Sequence, residues 1–288
     1  MAGEIRTVAV IGAGTMGNGI AQVTAAAGIG VVMSDINDAA VQRGMDAIGR
    51  NLGRLVEKQK LGPAERDAAL GRIRTTTRLE DVADCDLVIE AATENVDLKL
   101  KIFADLDRIA KAPAILASNT SSISLTRIAG SVKRPEQVIG MHFFNPVPVM
   151  ALVELIRALQ TSDDTCEAVR ALAVKLGKTP VEVRNSPGFV GNRILLPMIN
   201  EAVYCLQEGL ASAGDIDTVM KLGMAHPMGP LALADLIGLD TCLAILNVLY
   251  DGFKDPKYRP CPLWREMVDA GRLGRKTGRG FFEYPQKK

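Results

Sequence analysis

The stretch TVAVIGAGTMG, Thr7 to Gly17, decides the fold. Its first half is a short β-branched run, the pattern of a strand covered on both faces. Its second half, Gly12-Ala13-Gly14-Thr15-Met16-Gly17, reads G-x-G-x-x-G. Alone that spacing is weak evidence. Here a helical stretch from about Thr15 to Ala27 follows it, and a second strand, VVMSD, ends in Asp35, eighteen residues after Gly17. This is the full βαβ context of a dinucleotide-binding turn. The first glycine permits the tight turn, the second lets the backbone approach a pyrophosphate, and the third lets helix and strand pack closely. The helix N-terminus offers N–H groups and partial positive charge to the phosphates. Asp35 would take the adenosine ribose hydroxyls and repel a 2′-phosphate, so NAD is expected over NADP.

The alternation continues outward from that loop. Apolar runs at Asp86–Ala92, Ala114–Asn119, Gln137–Phe144, Leu152–Ile156 and Pro180–Val183 read as buried strands, and helical segments such as Asp97–Ala110 separate most of them. The expected fold class is α/β: a Rossmann-type, mostly parallel sheet. Residues 38–72 depart from minimal alternation and read as an inserted helical hairpin, broken at Leu61-Gly62-Pro63. Along its first helix Arg43, Arg50, Arg54 and Lys58 share one stripe, either a solvated face or an anion-binding rim. After Arg184-Asn185-Ser186-Pro187-Gly188-Phe189 only helices are expected, at about 188–210, 215–223, 229–250 and 262–270. The chain therefore divides into a nucleotide-binding domain, 1–185, and a C-terminal all-helical domain, 186–288. The closing GRKTGRGFFEY is expected to pack back as an irregular segment.

With 48% hydrophobic and 23% charged residues, the 288-residue chain has the balance of a globular protein with a sizeable core. A net charge of +1 gives no general electrostatic case for nucleic acid or an anionic membrane. Any phosphate-bearing ligand needs a local basic patch. Five scattered cysteines without a C-x-x-C pair suit a reduced, cytoplasmic setting. No signal peptide is read before the first strand, and no apolar run reaches the roughly 18–20 residues of a membrane span. Two histidines without clustered ligands give no metal site.

One of those histidines, His142, stands at the end of a strand, as do Asn119, Thr120 and Ser121. In open α/β sheets the ligand crevice lies at such ends. Hydride transfer from a secondary alcohol needs a base near neutral pH, which histidine supplies. Glu154, a carboxylate in an apolar run, is a candidate to fix the imidazole tautomer, because its burial needs a partner. Asn192 lies on an otherwise apolar helix face and must also be partnered. It either ties helix to helix or reaches the reacting oxygen. The other histidine, His226, reads as structural.

Through these residues the chain resembles the short-chain L-3-hydroxyacyl-CoA dehydrogenases, nearly end to end. The segments that carry the likeness are VIGAGTMGNGIA, DLVIEAATE, ILASNTSS, GMHFFNPVPVM with LVE, NSPGFVGNRIL, HPMGPLALAD with IGLD, and LGRKTGRGFFEY. The resemblance implies reversible hydride transfer between NAD and C3 of a short-chain 3-hydroxyacyl-CoA. It implies that Gly12, Gly14, Met16, Gly17 and Asp35 bind NAD, with Glu94 and Lys99 bordering nicotinamide and ribose and Asn119 beside the substrate. His142 would be the acid/base, Glu154 its partner, and Ser121 and Asn192 the groups that hold the 3-oxygen. Arg54 and Lys58 would hold CoA, Arg54 standing where relatives often carry lysine. The helical domain would form a homodimer interface. A dehydrogenase of a free hydroxy or sugar acid, and an NAD-binding structural protein without chemistry, are the rival expectations.

Overall fold

The computed structural model describes residues 4–285. The chain separates into two compact units at Ser186/Pro187.

In the first unit β1 (Thr7–Ile11), α1 (Thr15–Ala26) and β2 (Gly30–Ser34) form the leading βαβ turn. The hairpin follows as α2 (Asp38–Glu57) and α3 (Pro63–Gly71), and the chain re-enters the sheet as β3 (Ile73–Thr76). Then come β4 (Leu87–Glu90), α4 (Val96–Ile109), β5 (Ile115–Ser118), α5 (Leu125–Ala129) and β6 (Val138–Phe143). The unit closes with β7 (Leu152–Arg157), α6 (Asp163–Lys175) and β8 (Thr179–Arg184). The eight strands lie in the order β3-β2-β1-β4-β5-β6-β7-β8. Strand order reverses between β1 and β4, the kind of switch point at which open α/β sheets bind ligands. The central strands are covered by helices on both faces. Val8, Val10, Leu87, Ile89 and Ile139 are fully buried.

Two features depart from the sequence pattern. β3 is not expected from its residues, because Ile73-Arg74-Thr75-Thr76 contains one apolar residue. It is a short edge strand whose pairing with β2 supplies what its side chains do not. The sheet also reverses direction once. β6 pairs antiparallel with β7, and β8 runs parallel to β7. Only residues 144–151 join β6 to β7, too few for the crossover that a parallel pair requires. Pro180 is tolerated in β8 because that strand is the opposite edge.

In the second unit α7 (Gly191–Gln207), α8 (Ala213–Gly223), α9 (Pro230–Ile237), α10 (Leu239–Phe253) and α11 (Pro262–Asp269) surround a core of Leu196, Ile199, Leu231, Leu246 and Trp264. The single helix expected at 229–250 is two. Gly238 adopts φ of 105°, which only glycine takes easily, and the two axes bend by 99° there. Buried polar groups hold this unit in register. Asn200 accepts from the Trp264 indole and the Cys261 N–H, both at 2.9 Å. Asp235 accepts from the Phe281 and Phe282 N–H groups and the Tyr284 hydroxyl, and so anchors the irregular tail.

At the base of the sheet the Asp86 carboxylate accepts from the N–H groups of Arg6 and Thr7 and from Lys111 Nζ at 2.7 Å, joining β1 to the start of β4. Partial burial pushes its pKa up. These donors outweigh that effect and hold it at about 2, below the ordinary 3.8. The folded-state value lies below the unfolded one, so the stabilisation is complete above pH 4 and is lost as pH falls through 3.8 towards 2. Asp86→Asn should lower stability by about 1–2 kcal/mol at neutral pH, a range already reduced for solvent screening. Urea unfolding at pH 7 and pH 2 checks this; a cost independent of pH would mean that the charge is not what holds β1.

Candidate active site

The glycine loop joins β1 to α1. A Cβ on Gly12, whose φ is 100°, would lie 2.7 Å from the Ala91 carbonyl oxygen. A Cβ on Gly17 would lie 1.7 Å from the Gly12 carbonyl oxygen. Both glycines are dictated by the protein itself. A Cβ on Gly14 would meet nothing within 4 Å, so that position faces open space where a phosphate can approach. Gly14 is also the N-cap of α1 and offers no side chain to the first-turn N–H groups. Asp35, just beyond β2, accepts from Ala13 N–H through one oxygen and from Ile36 N–H through the other, each at 2.7 Å. Its carboxylate braces the loop and points into a cavity of about 380 Å³ lined also by Thr15, Asn37 and Arg43. Open space at Gly14, an uncapped helix start and a carboxylate eighteen residues after Gly17 fit an adenine dinucleotide. Met16 packs partly buried against the core beneath the loop.

His142 and Glu154 face each other across the antiparallel β6–β7 ladder. Residues directly opposite in such a ladder project to the same side, with Cβ atoms about 5 Å apart. The imidazole and carboxylate therefore meet without distortion: His142 Nδ1 lies 2.8 Å from Glu154 Oε2. They are buried, at 7% and 2% exposure, which excludes competing water from the contact. An ionised carboxylate only accepts, so in the neutral imidazole the proton sits on Nδ1. The Phe144 ring packs against the imidazole at 4.6 Å between centroids.

The β4 and β5 ends supply the neighbouring groups. Asn119 Oδ1 accepts from Phe143 N–H at 2.9 Å and ties the end of β5 to the end of β6. Glu94 accepts from Ser121 N–H at 2.8 Å, from the Ser121 hydroxyl at 3.2 Å and from the Thr120 hydroxyl at 2.7 Å. Ser121 is thus held by an exposed carboxylate from the neighbouring loop. Lys99 is 1% exposed and its Nζ donates to Glu90, itself fully buried. Glu90 also accepts from Ala92 N–H at 2.9 Å and from the Ser118 hydroxyl at 3.0 Å. Sequence reasoning missed Glu90. The signal was present: like Glu154, it is a lone carboxylate in an apolar strand, DLVIE.

Arg54 lies in the last turn of α2 and Lys58 is its C-cap, both exposed. Asn192 belongs to the helical unit, in the first turn of α7, and is 9% exposed. Among the described residues no single helix is long and apolar enough to cross a membrane.

Residues 7–186 match the NAD-binding domain of 3-hydroxyacyl-CoA dehydrogenases, and residues 188–284 match the C-terminal domain of the same enzymes. A probable 3-hydroxybutyryl-CoA dehydrogenase of Bacillus subtilis is 56% identical over 284 residues, covering 99% of each chain. The 3-hydroxybutyryl-CoA dehydrogenase of Bradyrhizobium diazoefficiens is 54% identical, covering 99% of this chain and 97% of its own. The crystal structure of (S)-3-hydroxybutyryl-CoA dehydrogenase from Ralstonia eutropha is similar with a TM-score of 0.96 and 61% identity, covering 98% of this chain and all of that one. The dinucleotide loop, the buried imidazole–carboxylate pair and these full-length matches agree: the chain belongs to the 3-hydroxyacyl-CoA dehydrogenase family and is an NAD-dependent oxidoreductase of that type.

Proposed function

We propose that the substrate is short, the pair being (S)-3-hydroxybutyryl-CoA and acetoacetyl-CoA, and that His142 and Glu154 are its acid/base machinery. The observation that carries this reading is the buried 2.8 Å contact between Nδ1 and the carboxylate at the C-terminal end of β6. The relatives' names supply the chain length.

NAD, when bound, supplies the hydride acceptor for oxidation, and NADH the donor for reduction. Gly12, Gly14, Met16, Gly17 and Asp35 hold its adenosine and phosphate end. Glu94, Lys99 and Asn119 border its other end, Lys99 acting through Glu90 rather than by exposing its own ammonium. In oxidation His142 Nε2 takes the 3-hydroxyl proton, and Glu154 stabilises the imidazolium that forms. In reduction the imidazolium returns the proton to the alkoxide. Ser121 exchanges its longer contact with Glu94 for a hydrogen bond to the 3-oxygen. Asn192 is the further hydrogen-bond donor to the 3-oxygen that the family resemblance implies. Arg54 and Lys58 hold the CoA phosphates; arginine at 54 binds with a fork rather than a point charge. The helical unit leaves Leu210, Val219, Leu222 and Met224 exposed, which supports pairing of two copies through this unit. Five free thiols suit a cytoplasmic enzyme.

Three measurements test the reading. His142→Gln should lower kcat by about 10²–10⁴ while NADH still binds; near-wild-type turnover would remove His142 from the chemistry. Arg54→Glu should raise KM for acetoacetyl-CoA roughly tenfold while leaving that for NADH close to wild type. Equal effects on both would place Arg54 outside the CoA site. Initial rates of NADH oxidation should be highest with a four-carbon ketoacyl-CoA and fall as the chain lengthens to sixteen carbons. Flat rates would keep the mechanism and discard the short-chain assignment. Turnover of free 3-keto acids alone would favour the hydroxy-acid alternative.

A further inference from the structure

Arg43, Arg50, Arg54 and Lys58 share one stripe of α2, yet the fold separates them. Arg43 lies in the second turn of α2 and lines the same cavity as Gly14 and Asp35. At 1.5 Å per residue, Arg54 is about 16 Å further along the helix. The residue after Arg43 explains its placement. A Cβ on Gly44 would lie 2.8 Å from the Ala13 carbonyl oxygen and 2.9 Å from the Ala13 Cβ. Glycine at this position lets α2 touch the dinucleotide loop backbone to backbone, and the loop sets where Arg43 starts.

The two charges that meet in this cavity are not equivalent. The Asp35 carboxylate is fixed by two N–H donors from the loop and the chain beyond β2. The Arg43 side chain is exposed, and among the described residues its guanidinium has no hydrogen-bond or ion-pair partner. A guanidinium uncommitted to the protein, at the adenosine end of a dinucleotide site, has two uses. It can lie over the face of an adenine ring. It can also take a phosphate through charge-assisted hydrogen bonds.

We infer that Arg43 is a specificity-determining residue of the cofactor site: it contacts the adenosine end, and preference for NADH over NADPH is set by the balance between Asp35 and Arg43. Asp35 repels a 2′-phosphate from a fixed position, and Arg43 attracts it from a movable one. NADPH is therefore disfavoured by charge, not by shape. This inference rests on the placement of adenosine against Asp35 proposed above.

The test is kcat/KM for NADH and for NADPH, with acetoacetyl-CoA as substrate, in wild type, Arg43→Ala, Asp35→Asn and the double variant. Asp35→Asn keeps an acceptor for the Ala13 N–H and removes the charge. It should raise NADPH efficiency roughly tenfold or more. Adding Arg43→Ala in that background should remove most of this gain, while costing NADH only about threefold, as expected of an exposed cation on a ring. Equal losses with both cofactors, or an NADPH gain in Asp35→Asn that survives Arg43→Ala, would overturn the role of Arg43. Should Asp35→Asn fail to fold, Arg43→Ala alone decides: its NADPH-to-NADH efficiency ratio should fall below wild type, and an unchanged ratio overturns the inference. Indifference of both cofactors to both substitutions would instead remove the adenosine placement on which the inference rests.

Discussion

The site depends on one reversal of strand direction. Were β6 and β7 parallel, a crossover would separate them and no register would set His142 opposite Glu154. Antiparallel pairing over residues 139–143 and 153–157 makes the pair a consequence of backbone hydrogen bonding, not of loop geometry. That matters energetically. Burying a lone carboxylate is costly, and a charge-assisted hydrogen bond offsets the cost only if the partner is held in place. Two adjacent central strands hold it with main-chain ladders on both sides.

The segment that makes the reversal is itself clamped. Lys178, nearly buried, donates to the Val147 and Met150 carbonyl oxygens at 2.6 and 2.7 Å. On the other side it meets α1, where a Cβ on Gly19 would come within 2.8 Å of Val147. The helix that begins at the phosphate loop thus packs directly against the connection between the two strands of the imidazole–carboxylate pair. Glu90, on β4, has a related role. Its carboxylate gathers Lys99, Ser118 and the start of the loop after β4, and so braces the two loops that carry Glu94 and Ser121. Two buried acids, each in an apolar strand, hold two halves of one crevice edge.

Much of this was legible in the sequence because the signals are local. Continuous apolar runs marked the central strands, and the spacing from Gly17 to Asp35 marked the dinucleotide turn. His142 and Glu154 could be paired because a carboxylate in an apolar run demands a partner. What stayed hidden depends on tertiary context. β3 is a strand because β2 offers it an edge, and its own polar residues do not announce it. The break at Gly238 lies inside an apolar run whose helical propensity reads straight through, and only the tertiary fold asks for φ of 105° there. The burial of Lys99 against Glu90 is likewise set by the fold, because the two residues lie on different elements and neither announces the other. Arg43 read as one member of a charged stripe, and nothing in its spacing tells it apart from Arg50 or Arg54.

That last case has a structural meaning. A single unbroken helix, α2, runs from beside the dinucleotide loop to the turn of the hairpin. Its beginning is pinned by Gly44 against Ala13, and its middle is buried at Ile48 and Leu52. Neither end can shift without the other, because a continuous hydrogen-bonded helix of 20 residues does not bend freely without a proline or an inserted group in its ladder. The distance between the cation at the adenosine cavity and the cations at the far end is therefore a property of the helix rise, not of side-chain choice. Under the reading proposed for Arg54 and Lys58, α2 spaces cofactor and substrate, and the inserted hairpin that interrupts simple strand–helix alternation is what brings substrate recognition onto a nucleotide-binding sheet.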